Sequence, residues 1–197
     1  RMTTAKPINV RPFFENKLQI SRSILLKNIK TNSNFDFLYV ASGEAHKNHR
    51  KLINAWMILA KEGIFPSLKL TIDKALFPKL CDWINKVKNL NQLKIDNMGS
   101  RSVDEVRYLY NKASALIFPS TIESFGLPLI EARQAGLPIL ASELDYVRDI
   151  LDPEQTFDAR SSQSIARAVK RFLKVSEPEL QLLDAKVFLN EIYLQKR

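Results

Sequence analysis

Short apolar runs alternate with longer amphipathic segments along most of this chain of 197 residues. The first clear run, FDFLYVA at 35–41, is almost continuous, which is typical of a strand buried on both faces of a parallel sheet. Four more strands are predicted at 67–73, 93–99, 115–120 and 137–142, with a small sixth near 156–158.

The segments between these runs carry apolar residues at helical spacing. In the first segment they recur at intervals of three or four before Gly63, at Leu52, Ile53, Trp56, Leu59 and Ala60. Ser102 and Glu105 have the spacing of a capping box, which predicts a helix start. Further helices are predicted around 80–87, 126–136, 162–174 and 179–195. This alternation predicts an α/β fold, a Rossmann-like doubly wound parallel sheet with right-handed crossovers.

The alternation divides the chain into three segments. Residues 35–175 carry it and are predicted to form a single domain. Residues 1–34 fit it less well and are interpreted as a linker that leads into this domain. The predicted last helix makes up the third segment, 176–197.

Composition narrows the classes of ligand and location. With 30 Lys and Arg against 21 Asp and Glu, the net charge is +9, which suits phosphorylated ligands, an anionic membrane surface or nucleic acid. The basic residues are spread along the chain rather than grouped, so nucleic acid is disfavoured and a weak peripheral membrane contact stays open. No apolar run approaches the ~20 residues of a membrane span, and the single Cys81 suits a reducing compartment. A cytoplasmic protein is therefore predicted.

The loop after the fourth predicted strand carries the strongest candidate chemistry. In an open parallel sheet, ligands bind outside the carboxyl ends of the strands. Gly126 and Pro128 mark a strand-to-helix turn whose first amides are free donors for an anion or a hydroxyl group. Glu123 precedes the turn and Glu131 follows it, so both carboxylates are expected to face one crevice.

The run ESFGLPLIEA, from Glu123 to Ala132, resembles the E-x7-E signature of family 4 glycosyltransferases. Gly136, Pro138 and Ser142 match the same pattern further on. The resemblance implies the C-terminal half of a GT-B enzyme, in which two Rossmann-like domains enclose the active site. It assigns 35–175 to binding of the nucleotide-sugar donor and implies that 176–197 packs toward an N-terminal domain absent from this chain.

The resemblance also implies roles for individual residues. Lys47, after the first strand, corresponds to the lysine that neutralises the leaving diphosphate, and with Glu123 it forms the predicted catalytic pair. Glu131 is expected to accept hydrogen bonds from the ribose hydroxyls. The sugar and phosphates are assigned to the turn amides of Phe125, Gly126 and Leu127.

The further candidates for donor binding are Ser42, His46, Gly99 and Arg101. Many family members have arginine where this chain has Ser42, so another cation must assist Lys47. The candidates for this cation are His46, Arg50, Arg101 or a residue from the other domain. His46 and His49 are each equally well explained as a surface or helix-capping residue. Gly99 and Arg101 follow the third strand, where the family lodges the base, but a turn alone explains the glycine equally well.

The implied reaction transfers a sugar from a nucleotide-sugar donor to an acceptor hydroxyl with retention, in the synthesis of polysaccharide, lipopolysaccharide or another glycoconjugate. The expected partners are the nucleotide sugar, a sugar or lipid-linked acceptor and the absent domain; neither a metal nor another cofactor is expected. The alternatives are a non-catalytic nucleotide-sugar-binding module and another GT-B enzyme, such as a sugar-nucleotide epimerase. The cytoplasmic location includes a peripheral position at the inner face of the membrane.

Overall fold

Six parallel strands form one sheet in the computed structural model, which describes residues 33–175. The strands are β1 (Phe35–Tyr39), β2 (Leu68–Leu70), β3 (Ile95–Asn97), β4 (Ala113–Phe118), β5 (Ile139–Ser142) and β6 (Gln155–Phe157). Their order across the sheet is β3-β2-β1-β4-β5-β6, which is the Rossmann order. The predicted α/β class and Rossmann-like doubly wound sheet are confirmed.

Six helices connect and cover the strands within the described residues. They are α1 (His49–Lys61), α2 (Pro78–Asn91), α3 (Val103–Lys112), α4 (Leu127–Gln134), α5 (Asp145–Arg148) and α6 (Ser162–Phe172), and a short 3-10 turn at Ala45–Lys47 precedes α1. The predicted capping box is present at the start of α3, where Ser102 and Glu105 bond reciprocally. The predicted linker up to residue 32 and the predicted helix at 179–195 lie outside the described residues.

The core explains why the strands are continuous apolar runs. Helices cover the sheet, so every residue of β5, and all but one of β1 and of β4, are buried. Trp56 of α1 lies edge-on to Phe37 of β1, with 5.5 Å between the ring centroids. Its indole N–H donates to the Pro66 carbonyl at 2.8 Å, which satisfies the one polar group of this buried ring.

β1 and β2 end earlier than the sequence indicates, because side chains replace the ladder at their carboxyl ends. The Ile72 N–H donates to the side-chain oxygen of Asn97, and the Asn97 amide donates back to the Ile72 carbonyl, both at 2.9 Å. The Ala41 N–H similarly donates to the Thr71 hydroxyl at 3.1 Å. Backbone groups in these predicted strand ends are therefore bonded to side chains at the carboxyl end of the neighbouring strand.

The strand order creates a crevice at the carboxyl ends of β1 and β4. From β1 the chain moves outward to β2 and β3, and α3 then carries it back to β4 on the other side of β1. The connections after β1 and β4 therefore leave in opposite directions and separate above the sheet. The loops at 40–48 and 119–126 border this crevice, and they hold the predicted catalytic pair.

Candidate functional site

An ion pair joins the two loops at the crevice. Lys47 ends the 3-10 turn after β1, and Glu123 lies in the loop after β4. The Lys47 Nζ atom lies 2.8 and 2.9 Å from the two carboxylate oxygens of Glu123. The side chains are only 18% and 11% exposed, so the pair is largely withdrawn from water. The structure thus brings together the two residues predicted to be catalytic, which are 76 positions apart.

Tyr39, the last residue of β1, bonds to both of the segments that carry this ion pair. Its hydroxyl donates to the Lys47 carbonyl at 2.7 Å and lies 2.9 Å from the Ser120 hydroxyl. A phenol has one proton, so Ser120 is the donor in the second bond. Burial raises the pKa of Tyr39 well above its usual value, which keeps the phenol protonated. One buried hydroxyl therefore fixes both loops.

Further hydrogen bonds fasten the loop after β1 to its neighbours. Asn48 has a left-handed backbone with φ of 61°, and its side-chain amide donates to the carbonyls of Pro119 at 3.0 Å and Ala159 at 2.8 Å. The N–H and hydroxyl of Thr121 both donate to the His46 carbonyl, at 2.9 and 3.1 Å. The loops after β1, β4 and β6 are thereby joined into one rim.

His49 supports the rim from the buried side. Its Nε2 atom lies 2.6 Å from the Ser42 carbonyl, and because a carbonyl only accepts, Nε2 carries the proton. Burial lowers the pKa of His49 to about 4, so the ring is neutral near pH 7. Nδ1 has no hydrogen-bond partner among the described residues. His49 is therefore a buried support of the loop, whereas His46 is partly exposed.

The turn after Glu123 is built around a left-handed glycine. Gly126, with φ of 55°, begins α4, and Pro128 occupies its first turn, as predicted from the sequence. A Cβ added at Gly126 would lie 3.1 Å from side-chain carbons of both Ile150 and Leu129. Phe125 and Leu127, on either side, are about half exposed. The glycine is therefore required both by the backbone conformation and by close packing.

Glu131 lies on α4, about 6 Å along the axis from Leu127 at 1.5 Å per residue. Its side chain is on the exposed surface of the domain, and one carboxylate oxygen accepts a bond of 3.0 Å from the hydroxyl of Tyr110. Tyr110 belongs to α3 and is buried. The second carboxylate of the predicted motif is thus anchored at one oxygen and presented outward.

The other candidate donor residues fall into two groups. Ser42 and His46 share the loop of Lys47, and the Ser42 hydroxyl bonds to the Glu44 carboxylate, whose pKa it lowers. Gly99 and Arg101 follow the edge strand β3, which lies two strands from β1. The Arg101 guanidinium bonds to the Met98 carbonyl and to Glu105 at 2.9 Å. The ligand roles of all four residues stay predictions.

Sequence reasoning missed several residues that build the site. Tyr39 lies in an apolar run, Tyr110 lies in an amphipathic helix, and Ser120 ends an apolar run, so all three look like ordinary structural positions. A usable signal did exist, because a buried tyrosine hydroxyl needs a hydrogen-bond partner. The identity of that partner depends on the fold and is not visible in the sequence.

Within 33–175 no three His, Cys, Asp or Glu side chains are grouped so that they would hold a metal ion. No helix in the same range has the length and apolar character to cross a bilayer.

The fold is that of a Rossmann-like domain, with a largely buried ion pair in the crevice between β1 and β4. The profile of the family described as "Glycosyl transferases group 1" matches residues 23–184. The chain belongs to this family, which confirms the glycosyltransferase family predicted from the sequence.

Curated relatives are similar over part of their length. The "Serotype-specific mannosyltransferase WbdA" of Escherichia coli is 30% identical over 143 residues, which are 72% of this chain and 17% of WbdA. The "O-antigen chain mannosyltransferase RfbU" of Salmonella typhimurium is 30% identical over 82 residues, which are 40% of this chain and 23% of RfbU. The chain therefore spans less than a quarter of either relative.

Solved structures share the fold. Anabaena Alr3699/HepE in complex with UDP and glucose superposes with a TM-score of 0.60 and 18% identity, over 79% of this chain and 44% of that one. The catalytic domain of the cholesterol-alpha-glucosyltransferase from Helicobacter pylori gives 0.57 and 18%, over 72% and 87% respectively. At these identities the likeness concerns the architecture alone.

The buried state of His49 predicts a dependence of stability on pH. Its pKa is about 4 in the folded chain and about 6.5 when unfolded. Its contribution to the free energy of unfolding is thus fully present above pH 6.5 and falls by about 1.4 kcal/mol per pH unit as the pH drops toward 4. His49→Gln keeps an N–H donor without titrating, so its free energy of unfolding should fall less steeply between pH 6.5 and 4. Urea titrations at several pH values measure this, and equal slopes for both proteins would contradict it.

Gly126→Ala should destabilise the domain more than Gly63→Ala. Both glycines have positive φ, 55° and 76°, so each alanine costs about 1–2 kcal/mol for the left-handed conformation. Only at Gly126 does the added methyl meet other side chains, since nothing lies within 4 Å of a Cβ at Gly63. Free energies of unfolding from urea titration compare the two variants. An equal loss would show that the turn at the site is loosely packed.

Proposed function

We propose that this domain binds the nucleotide-sugar donor of a retaining glycosyltransferase that moves a hexose to an acceptor hydroxyl in cell-surface polysaccharide synthesis. The observation that carries the proposal is the largely buried Lys47–Glu123 pair at the switch point of a group 1 family fold. The names of the relatives, which are O-antigen and serotype-specific mannosyltransferases, support hexose transfer. The HepE complex, which contains UDP and glucose, supports a nucleotide-sugar ligand.

Each group at the crevice has a role that its chemistry suits. Negative charge grows on the leaving diphosphate in the transition state, and the Lys47 ammonium stabilises it where it develops. Glu123 accepts hydrogen bonds from the hydroxyls of the transferred sugar. The first amides of α4, which begins at Gly126, bind phosphate or sugar oxygens. Glu131 accepts from the ribose, and Ser42, His46, Gly99 and Arg101 line the rest of the donor site.

The ion pair adds a step that the sequence did not suggest. Both oxygens of Glu123 are bonded to Lys47, so neither group is fully available to a donor unless this pair opens. A bound diphosphate competes with Glu123 for the ammonium group. Its arrival releases the carboxylate, which then turns to the sugar, and the buried lysine remains paired with a negative charge throughout.

Retention needs no covalent bond to Glu123. A nucleoside diphosphate is a good leaving group once its charge is neutralised, so attack from the face it vacates is accessible. The rule that relates carboxylate pairs to stereochemistry in glycoside hydrolases concerns a different leaving group and is not transferred here.

The proposed competition predicts opposite effects at the two members of the pair. Lys47→Met should weaken binding of UDP or GDP about ten- to hundredfold, because it removes a charge-assisted bond of ~1.5–3 kcal/mol. Glu123→Gln should leave this binding unchanged or tighter, since Lys47 loses its competing carboxylate, and should weaken UDP-glucose or GDP-mannose relative to the bare diphosphate. Calorimetry with the four ligands measures both effects.

Lys51→Met is the matched control, since it removes the same charge from an exposed position on α1 and should change affinity little. A loss of diphosphate affinity in Glu123→Gln as large as that in Lys47→Met would refute the competition. No stabilisation of the wild-type chain by any of the four ligands in a thermal-shift assay would refute the donor site itself.

Sugar transfer is proposed to need a second domain that closes over the crevice. The chain aligns with 44% of HepE, and alignment of reactants in a closed, dry cleft accounts for up to ~7–11 kcal/mol of barrier lowering. The chain on its own should therefore bind a donor but transfer no sugar from UDP-glucose or GDP-mannose to simple sugar acceptors. Product analysis by mass spectrometry, with a two-domain group 1 enzyme as the positive control, tests this. Multiple turnovers by the chain alone would contradict it.

A further inference from the structure

A buried tyrosine from a different helix holds the outer carboxylate of the site. Tyr110 is 2% exposed, and its hydroxyl lies 3.0 Å from one oxygen of Glu131. Tyr110 is near the end of α3, which runs directly into β4 at Ala113, and Glu131 lies on α4, which follows β4. The contact therefore braces the two helices that flank the strand leading to the site.

We propose that Tyr110 positions the Glu131 carboxylate for the ribose diol and so gives the site its preference for ribonucleotide over deoxyribonucleotide donors. This inference rests on the proposed donor-binding function and adds a residue that acts through Glu131 rather than by touching the donor.

The chemistry of the contact supports a positioning role. An ionised carboxylate only accepts, so the phenol is the donor, and burial followed by the charge of Glu131 raises the pKa of Tyr110 so that the proton stays in place. The bond occupies one lone-pair site of the carboxylate, and the remaining sites stay open to a ligand. A vicinal diol offers two hydroxyl donors to those sites.

The location of the two groups separates this role from a purely structural one. Tyr39, the other buried tyrosine of the site, bonds a backbone carbonyl and a buried serine, as expected of a group that holds the fold. The recorded partner of the Tyr110 hydroxyl is instead an exposed side chain. A glutamate on a helix surface samples several rotamers, and fixing one of them before binding lowers the ordering cost that the donor must overcome.

The test uses Tyr110→Phe, which removes the hydroxyl and keeps the buried ring. Calorimetry with UDP and GDP and with their 2′-deoxy forms gives the ratio of deoxy to ribo dissociation constants. Tyr110→Phe should weaken the ribonucleotides about two- to tenfold, the size expected for losing one pre-ordered side chain. It should weaken the deoxy forms less, so the ratio falls toward that of Glu131→Gln. The double variant should bind no more weakly than Glu131→Gln alone.

Tyr108→Phe is the matched control, because Tyr108 lies on the same helix and is exposed, and it should leave the ratio unchanged. Equal weakening of ribo and deoxy forms by Tyr110→Phe, or additive losses in the double variant, would overturn the positioning role while leaving the donor site intact. The positioning role would also be overturned if Tyr110→Phe left the affinity for UDP and GDP unchanged while Glu131→Gln reduced it. Unchanged affinity in Glu131→Gln would overturn the proposed ribose contact, and the role of Tyr110 with it.

Discussion

The Tyr39 hydroxyl is the interaction on which the geometry of the site depends. It ends the central strand β1 and bonds the Lys47 carbonyl and the Ser120 hydroxyl, which belong to the two segments that diverge at the switch point. Loops that leave a sheet in opposite directions have no reason to stay at a fixed separation unless something joins them. A fully buried phenol does so where water cannot compete, and a buried hydrogen bond left unmade there costs about 1–3 kcal/mol. The two loops are therefore held at a fixed separation, and this separation sets the distance between Lys47 and Glu123.

Most of the fold could be predicted from the sequence, because the burial of a strand is visible in its own run of apolar residues. Strands buried on both faces are continuous apolar runs, and β1, β4 and β5 show this clearly. The ends of β2 and β3 could not be predicted, since the amide of Asn97 replaces the ladder at Ile72 and that exchange requires the strands to be neighbours already. The alternation predicted the doubly wound class, whereas the order of the strands is seen only in the structure.

Residues of the site could be predicted only where residue type, loop position or the family motif was enough to identify them. Lys47 and Glu123 were predicted from their loop positions and from the resemblance to family 4 glycosyltransferases, and the structure places them in contact. Their mutual bidentate bond was not foreseen, because it depends on a spacing that Tyr39 and Asn48 set through contacts more than 70 positions away. His49 was left undecided between a surface and a ligand role, since its burial follows from the packing of the loop around Ser42 rather than from periodicity.

The ion pair is better explained by ligand binding than by stability. Withdrawing two charges from water costs several kcal/mol per ion, and apolar replacements of buried pairs are often neutral or stabilising. The Lys47 and Glu123 side chains are 18% and 11% exposed and lie at the carboxyl ends of the strands. The pair therefore contributes little more to the free energy of unfolding than two leucines in its place would. In the proposed donor site, Glu123 balances the charge of Lys47 until a diphosphate replaces it, so the lysine is never left unpaired. The phenol of Tyr146 also helps to hold the loops around the ion pair. Burial, and next the charge of Glu123, raises the pKa of Tyr146, whose protonated hydroxyl donates to the Ser120 carbonyl at 2.8 Å. The hydroxyl groups of Tyr39 and Tyr146 thus hold the rim through hydrogen bonds without adding charge to it.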